Sequence, residues 1–449
     1  MKWFKKTPFS LWAIILGYGL LNIPFLFSGF GEPDGWRNGL AALGWAQDLG
    51  YIPSRFPGFP VVELAYGVAA KLFPWESFWI YTNLVTLFIT MIGIYFFFQI
   101  AHYHKISQLL TTVLLLFFIP VVFINASSSM DYLWTATFIL ISYWALLQNK
   151  AIIGGLSLGL AIGARLTTGI FLPAFLLFLV WNEKVFTKKT VLRGTLLFVC
   201  ATLFISLGAY FPLLWRYHLN FLETLYPPRD FIRSGYYVMQ WIFGLPGWIF
   251  FLFWVFKKRK GFMQWNWEFY LWGFIIAAYL VLFLVKPEKV EYLIPMFPFA
   301  VLWIARWLNG KHLTILTCLV IGNNLISFLV FQPGPQGLKM EWVDKGTAFQ
   351  KYAAYKQYIG DNRFLVRYPY LPNSVVVVGW YEPGIEYFLE LPANQTRKNE
   401  LLKNRIQFSH NSGCAWRKNT YLVEGPSREK EGDPALVNAQ VIRLPSMSK

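Results

Sequence analysis

The feature that most constrains this chain is a succession of apolar runs, each close to the length of a membrane span, through its first 331 residues. A helix needs about 20 consecutive apolar residues to cross the hydrocarbon of a bilayer. Such runs lie near 9–29, 77–100, 107–124, 130–148, 191–214, 238–256, 266–285, 290–308 and 312–331. Between 150 and 182 the apolar run is interrupted by Gly163, Arg165 and Thr167-Thr168, which reads as two short helices meeting at one membrane face. The expectation is an all-α polytopic membrane domain over residues 1–331 with about eleven transmembrane helices. The first run is too long for the apolar core of a signal peptide and lacks a small-residue cleavage site, so it reads as a retained span.

Charge supplies the direction. Residues 1–331 hold 24 Lys and Arg against 12 Asp and Glu. With the N-terminus inside, 15 of those 24 basic residues fall on inner segments, and ten of the 12 acids fall outside. Basic inner loops set orientation, and an odd number of spans then places residues 332–449 outside, most simply across a bacterial inner membrane. The formal charge of +17 is therefore a topology signal, and its placement in short clusters between apolar runs argues against a nucleic-acid partner. Cys200 and Cys318 lie in apolar runs and Cys414 stands alone in the tail, so no disulfide within the tail is available.

Residues 332–449 have no run long enough to span and carry 16 basic and 11 acidic residues. They open with a loop-like stretch at 332–337, followed by a helical stretch through Tyr352 to Tyr358. Ser374 to Gly379 then reads as a buried strand, and Glu382 to Phe388 as the helix it feeds. The expected tail is a small C-terminal α/β soluble domain.

Chemistry is best sought in the first outer loop, residues 30–76, since a connection of that length is more often functional than idle. Glu32 and Asp34 flank Pro33 between two glycines, and two carboxylates so held can coordinate a hard cation or deprotonate a hydroxyl. Asp34 can equally be the cap of a helix over 36–51, whose Trp36, Leu40 and Leu43 form a stripe suited to the membrane interface. Arg55, in Arg55-Phe56-Pro57-Gly58-Phe59-Pro60, can grip a phosphate bidentately or anchor to lipid headgroups. Arg165 ends a glycine-rich helix, Gly154 to Ala164, at a depth where a cation is functional unless it reaches the interface. His218, Arg229, Arg233, Lys286 and Lys289, with Glu291 and Tyr292, form an outer rim that attracts anions. Asp131, at an outer helix entrance, reads as a cap.

These motifs together resemble the GT-C superfamily of membrane glycosyltransferases, which use polyprenyl-phosphate-linked sugars and include protein O-mannosyltransferases and bacterial lipid A aminoarabinose transferases. Glu32-Pro33-Asp34 matches the family's acidic signature after the first span. Arg55 to Pro60 is similar to the proline-rich end of that loop, and the glycine-rich helix ending at Arg165 to its short fifth helix. Glu291-Tyr292-Leu293-Ile294-Pro295 looks like its Arg-Tyr-Leu-x-Pro late span, with glutamate where the family carries arginine. The resemblance implies inverting transfer on the outer face to a lipid, glycan or protein acceptor. It implies Asp34 as base with Glu32 positioning it, and Arg55 and Arg165, then Arg229, Arg233, Lys286 and Lys289, on the donor phosphate. Tyr292, Glu291 and His218 would face the substrate. No cofactor is certain; a divalent metal on Glu32 and Asp34 is left open, because the family has members with and without one. Two other classes stay in view. A transporter or flippase is disfavoured by the lack of internal repeats, and a non-catalytic scaffold of the same fold is encouraged by Glu291.

Overall fold

In the computed structural model the described residues are 8–181, 188–219, 231–257, 267–285, 287, 289–308, 310–326, 329–334, 337–342, 346–409, 419–423, 440–442 and 444. Arg229 and Lys286, and the side chain of Arg233, lie outside them. The helices, in chain order, are α1 (Phe9–Asn22), α2 (Pro33–Ala46), α3 (Pro60–Leu72), α4 (Phe78–Tyr103), α5 (Leu109–Phe117), α6 (Pro120–Asn125), α7 (Tyr132–Leu147), α8 (Ala151–Ala164) and α9 (Phe171–Trp181). They continue with α10 (Lys188–Tyr217), α11 (Phe231–Ile242), α12 (Gly244–Lys257), α13 (Trp267–Val285), α14 (Phe297–Trp307) and α15 (Gly310–Leu325). Among the described residues, five helical stretches are long and apolar enough to cross a bilayer: Phe9–Phe27, Trp75–Tyr103, Val191–Tyr217, Trp267–Val285 and Val290–Trp307. Shorter apolar helices accompany them, as expected of a multi-pass membrane protein.

The chain divides into two compact units. The first takes Met1–Phe25, Arg55–Val62 and Asn83–Lys351 and holds most of the apolar helices. Its tightest seam joins α8 to α10. A Cβ added to Gly155 would meet the Phe198 carbonyl at 2.3 Å, one on Gly159 the Thr202 carbonyl at 2.8 Å, and one on Gly163 the Ala209 Cβ at 2.9 Å. Contacts that advance together along both chains mean that the helices run parallel. Small residues at every fourth position let two backbones approach where lipid offers no hydrophobic drive to associate. On the other side of α8, the Ser142 hydroxyl of α7 donates to the Gly154 carbonyl at 2.8 Å. The break at Arg165 is real: α8 ends at Ala164, a 3-10 turn covers Leu166–Ile170, and α9 begins at Phe171.

A polar clamp, buried at His104 and Tyr143 and exposed at Arg306, ties four helices of this unit together. His104, just past α4, shares a hydrogen bond with Glu268 of α13 (2.9 Å) and another with the Tyr143 hydroxyl of α7 (2.9 Å). Arg306 of α14 donates to Glu268 at 2.7 Å and to the His104 carbonyl at 3.1 Å.

The expected span at 312–331 is corrected. Helix α15 stops at Leu325, and Leu329–Gly334 is a strand (β1) paired antiparallel with Gly337–Trp342 (β2), Leu329 opposite Trp342. Residues 332–334 and 337 of the expected loop are therefore strand, and hydropathy alone cannot separate Leu329-Val330-Phe331 from a helix.

The second unit takes Leu26–Ser54, Glu63–Thr82 and Tyr352–Lys449. It includes most of α16 (Thr347–Arg367), then β3 (Ser374–Val377), α17 (Glu382–Glu390), α18 (Gln395–Lys403), β4 (Gln407–Ser409), β5 (Asn419–Val423) and β6 (Gln440–Ile442). The four strands form one parallel sheet in the order β4-β3-β5-β6. Buried Val375, Val376 and Val377 make β3 its apolar centre, as a strand covered on both faces requires. The expected strand and the helix after it are thus present, and the region is α/β.

Trp36, fully buried, is the centre of this unit's aromatic core. Its ring lies 5.1 Å from Phe30, 5.6 Å from Tyr358 of α16, and 5.4 and 5.5 Å from Tyr387 and Phe388 of α17. The Tyr387 hydroxyl donates to the Trp75 carbonyl at 2.6 Å. The stripe of Trp36 and Leu43 thus packs into protein and not into an interface, which corrects the sequence reading.

Candidate functional site

Helix α2 begins at Pro33, three residues before the expected start, because proline at the first helical position has its ring pre-set and no N–H to waste. Asp34 consequently sits inside the first turn and does not cap it; Glu32 is the residue at the cap, and its carbonyl accepts from Gly35 at 2.8 Å. A carboxylate in a first turn is favoured by the helix dipole. Asp34 is 9% and Glu32 8% exposed, and Asp34 accepts from Arg37 at 3.0 Å. Further along the loop the Ser54 hydroxyl donates to Asn38 of α2 at 2.8 Å, and its backbone N–H to Glu63 of α3 at 2.9 Å. Glu63, 2% exposed, also accepts from the Tyr51 hydroxyl. The loop that carries the acidic pair is thus pinned by buried polar bonds within its own unit, and its next residue is Arg55.

In the first unit the decisive group is Asp131. It does not cap α7 with its side chain. Its carboxylate is completely buried and takes two guanidinium groups, Arg165 Nη1 on Oδ2 at 2.5 Å and Arg55 Nη2 on Oδ1 at 3.4 Å. Together the three groups carry one net positive charge. Arg165 lies over the rings of Tyr132 and Tyr292, 4.6 Å from each centroid, and Arg55 over Phe59 at 4.2 Å. Such cation–π contacts strengthen once water is excluded. Lys289 and Arg165 are both within electrostatic reach of the Tyr132 hydroxyl. Among the described residues, that hydroxyl and the one on Tyr279 are buried without a hydrogen-bond partner.

The sequence-predicted residues therefore divide. Arg55, Arg165, Lys289 and Tyr292 gather in the first unit around Asp131, and buried Glu291 occupies the same 3-10 turn as Tyr292, Val290–Met296. His218 is exposed just past the end of α10, with positive φ. Glu32 and Asp34 belong to the second unit. Among the described residues no group of three or more His, Cys, Asp or Glu side chains could hold a metal ion, and Asp34 is already engaged by Arg37. No metal-dependent step is derived from the pair. Asp131, Tyr132, Phe59, Tyr279 and Glu63 escaped sequence reasoning as site residues. One signal was there for Asp131: an arginine at membrane depth needs a counter-ion, and Asp131 is the acid that opens an adjacent apolar helix.

Two crystal structures superpose on nearly the whole chain. ArnT from Cupriavidus metallidurans in the apo state matches over 88% of this chain and 89% of its own, with TM-score 0.55 and 13% identity. The chain has the ArnT fold. ArnT from the same organism bound to undecaprenyl phosphate matches over 89% of both chains, with TM-score 0.53 and 13% identity. The likeness is one of architecture, at 13% identity. No family model and no curated protein sequence matches the chain.

Proposed function

We propose that the protein moves a sugar from a polyprenyl-phosphate carrier to a lipid, glycan or protein acceptor on the outer membrane face, with inversion at the anomeric carbon. The observation that carries this reading is the pair of guanidinium groups, Arg165 buried and Arg55 half-buried, that share the buried Asp131 carboxylate, with the buried Tyr132 hydroxyl of the ring beneath Arg165 lacking a partner among the described residues. A phosphate suits such a place: it brings enough acceptor oxygens to engage both arginines and a hydroxyl. The binding of undecaprenyl phosphate by ArnT, whose fold this chain shares, supports the same class of carrier.

Two tasks follow for the chain's own residues. As the bond from the anomeric carbon to the phosphate oxygen breaks, the electron pair passes to that oxygen. Arg165 and Arg55, held by Asp131, stabilise the charge, with Lys289 and Tyr292 alongside and Arg229, Arg233 and Lys286 assigned to the same rim. Asp34, with Glu32 positioning it, takes the acceptor's proton, a task worth about 10² to 10⁴ in rate. Glu291 and His218 are assigned to substrate contact. The membrane part is proposed to make about eleven passes, with the N-terminus inside and residues 332–449 on the outer face.

The test uses purified full-length protein, radiolabelled polyprenyl-phosphate sugars and a membrane extract as acceptor source. Asp34→Asn is expected to lose at least about a hundredfold in transfer, while Arg165→Lys weakens retention of the lipid phosphate. Transfer that survives Asp34→Asn at the wild-type rate removes Asp34 from its role. Movement of the lipid across the bilayer without any sugar transfer favours the flippase reading.

A further inference from the structure

A second place on the first unit has the composition of a binding site. At the end of the bundle where α8 and α10 begin, a cleft of about 390 Å³ opens between the two helices. Lys150 and Arg193 line it, and among the described residues no carboxylate does. Ile152, Ile153 and Leu197, 50%, 45% and 36% exposed, form most of the rest of its wall, with Asn149, Ala151 and Gly194 completing it. The cleft thus joins two exposed cations to an apolar flank that faces outward, which is the two-part chemistry of a lipid headgroup and its chain.

The helix geometry adds to the charge. The first residues of α8 line the cleft, the second turn of α10 faces them, and neither helix has an acidic residue in its first turn. N-terminal helix ends carry partial positive charge and N–H groups without intrahelical partners. Two cations gathered at such an end repel one another unless an anion joins them. Lys150 is also 5.6 Å from the Trp144 ring, an aromatic of the kind that marks the headgroup level. Both cations fall on segments that the positive-inside pattern assigns to the inner face, where acidic lipids are met by basic pockets between helices.

We propose that this cleft binds one acidic phospholipid, its phosphate between Lys150 and Arg193 and an acyl chain along Ile152, Ile153 and Leu197. The site is separate from the Asp131 cluster, and the proposal stands whether or not the protein transfers a sugar. The bound lipid neutralises the N-terminal end of the α8–α10 seam.

The experiment is a titration of purified full-length protein with phosphatidylglycerol and, separately, with phosphatidylcholine, read by native mass spectrometry as the affinity of the tightest retained lipid. Wild type should hold phosphatidylglycerol well above phosphatidylcholine. The double substitution Lys150→Gln with Arg193→Gln should weaken the acidic lipid about thirtyfold, at about fivefold for each cation near the surface, and leave the neutral lipid unchanged. The exchange Lys150→Arg with Arg193→Lys keeps both charges and should retain tight binding, which separates loss of the site from loss of the fold. Equal retention of phosphatidylglycerol by the double glutamine variant overturns the proposal. So does displacement of the lipid by millimolar inorganic phosphate, since the site would then read the anion alone.

Discussion

Replacing Asp131 by asparagine keeps the side chain's shape and removes one charge from a place with no access to water. The carboxylate is fully buried, and its two oxygens serve different partners, Arg165 at 2.5 Å and Arg55 at 3.4 Å. An amide offers one oxygen and one NH₂ group, so one guanidinium loses its acceptor and faces a donor. The net charge of the trio also rises from one to two. Breaking a buried pair from one side destabilises by about 3–5 kcal/mol, because the partner is left charged and uncompensated. The shorter contact identifies Arg165 as the group that suffers more. Reversible unfolding in mixed detergent micelles, followed by tryptophan fluorescence, measures the loss. Combining Asp131→Asn with Arg165→Gln should recover part of it, giving a coupling energy of about 0.5–3 kcal/mol in a double-mutant cycle. A single Asp131→Asn variant within about 0.5 kcal/mol of wild type would behave like a surface substitution, and the view of Asp131 as the anchor of both arginines would be wrong.

Three other outcomes follow from the packing. Gly155→Val should destabilise by at least about 1–3 kcal/mol, because a Cβ there stands 2.3 Å from the Phe198 carbonyl, whereas Gly44→Ala, with open space around it, should change stability little in the same assay. Trp36→Ala should lower stability by about 3–5 kcal/mol by emptying the aromatic core of the second unit, and limited proteolysis should then cut near α2; an unchanged pattern would refute its central place. Glu268→Gln should cost about 1–3 kcal/mol, since His104 and Arg306 both lose a charged acceptor, and an unaltered unfolding curve would show that the clamp contributes nothing.

Much of the architecture is legible in the chain because hydropathy over about 20 residues is a strong local signal. The break at Arg165 was visible for the same reason: an arginine and two threonines interrupt an apolar run. Local signals failed where two structures share one composition. Leu329 to Phe331 are as apolar as a helix end, yet they form β1. The start of α2 was misplaced because Asp34 resembles a cap, although Pro33 carries its own start signal. The site was half legible. Arg55, Arg165 and Tyr292 stood out as charged or aromatic residues in motifs, but Asp131 reads locally as a helix cap. Its partners lie 34 and 76 residues away in the chain, beyond any helical or strand period. The fate of Trp36 was equally hidden, since three of the rings that bury it come from residues 358, 387 and 388.

That last separation has a consequence for biosynthesis. Trp36 and Phe30 leave the ribosome early, but the helices that cover them are encoded more than 300 residues later. At about 5–20 residues per second, the stretch between Thr82 and Tyr352 alone takes roughly a quarter of a minute to a minute to make. Through that interval the segment bearing Glu32 and Asp34 lacks the rings of Tyr358, Tyr387 and Phe388. The acidic pair acquires its final setting only after residues 352–390 have been translated, so a nascent chain halted earlier displays an unfinished loop that quality-control proteases can recognise.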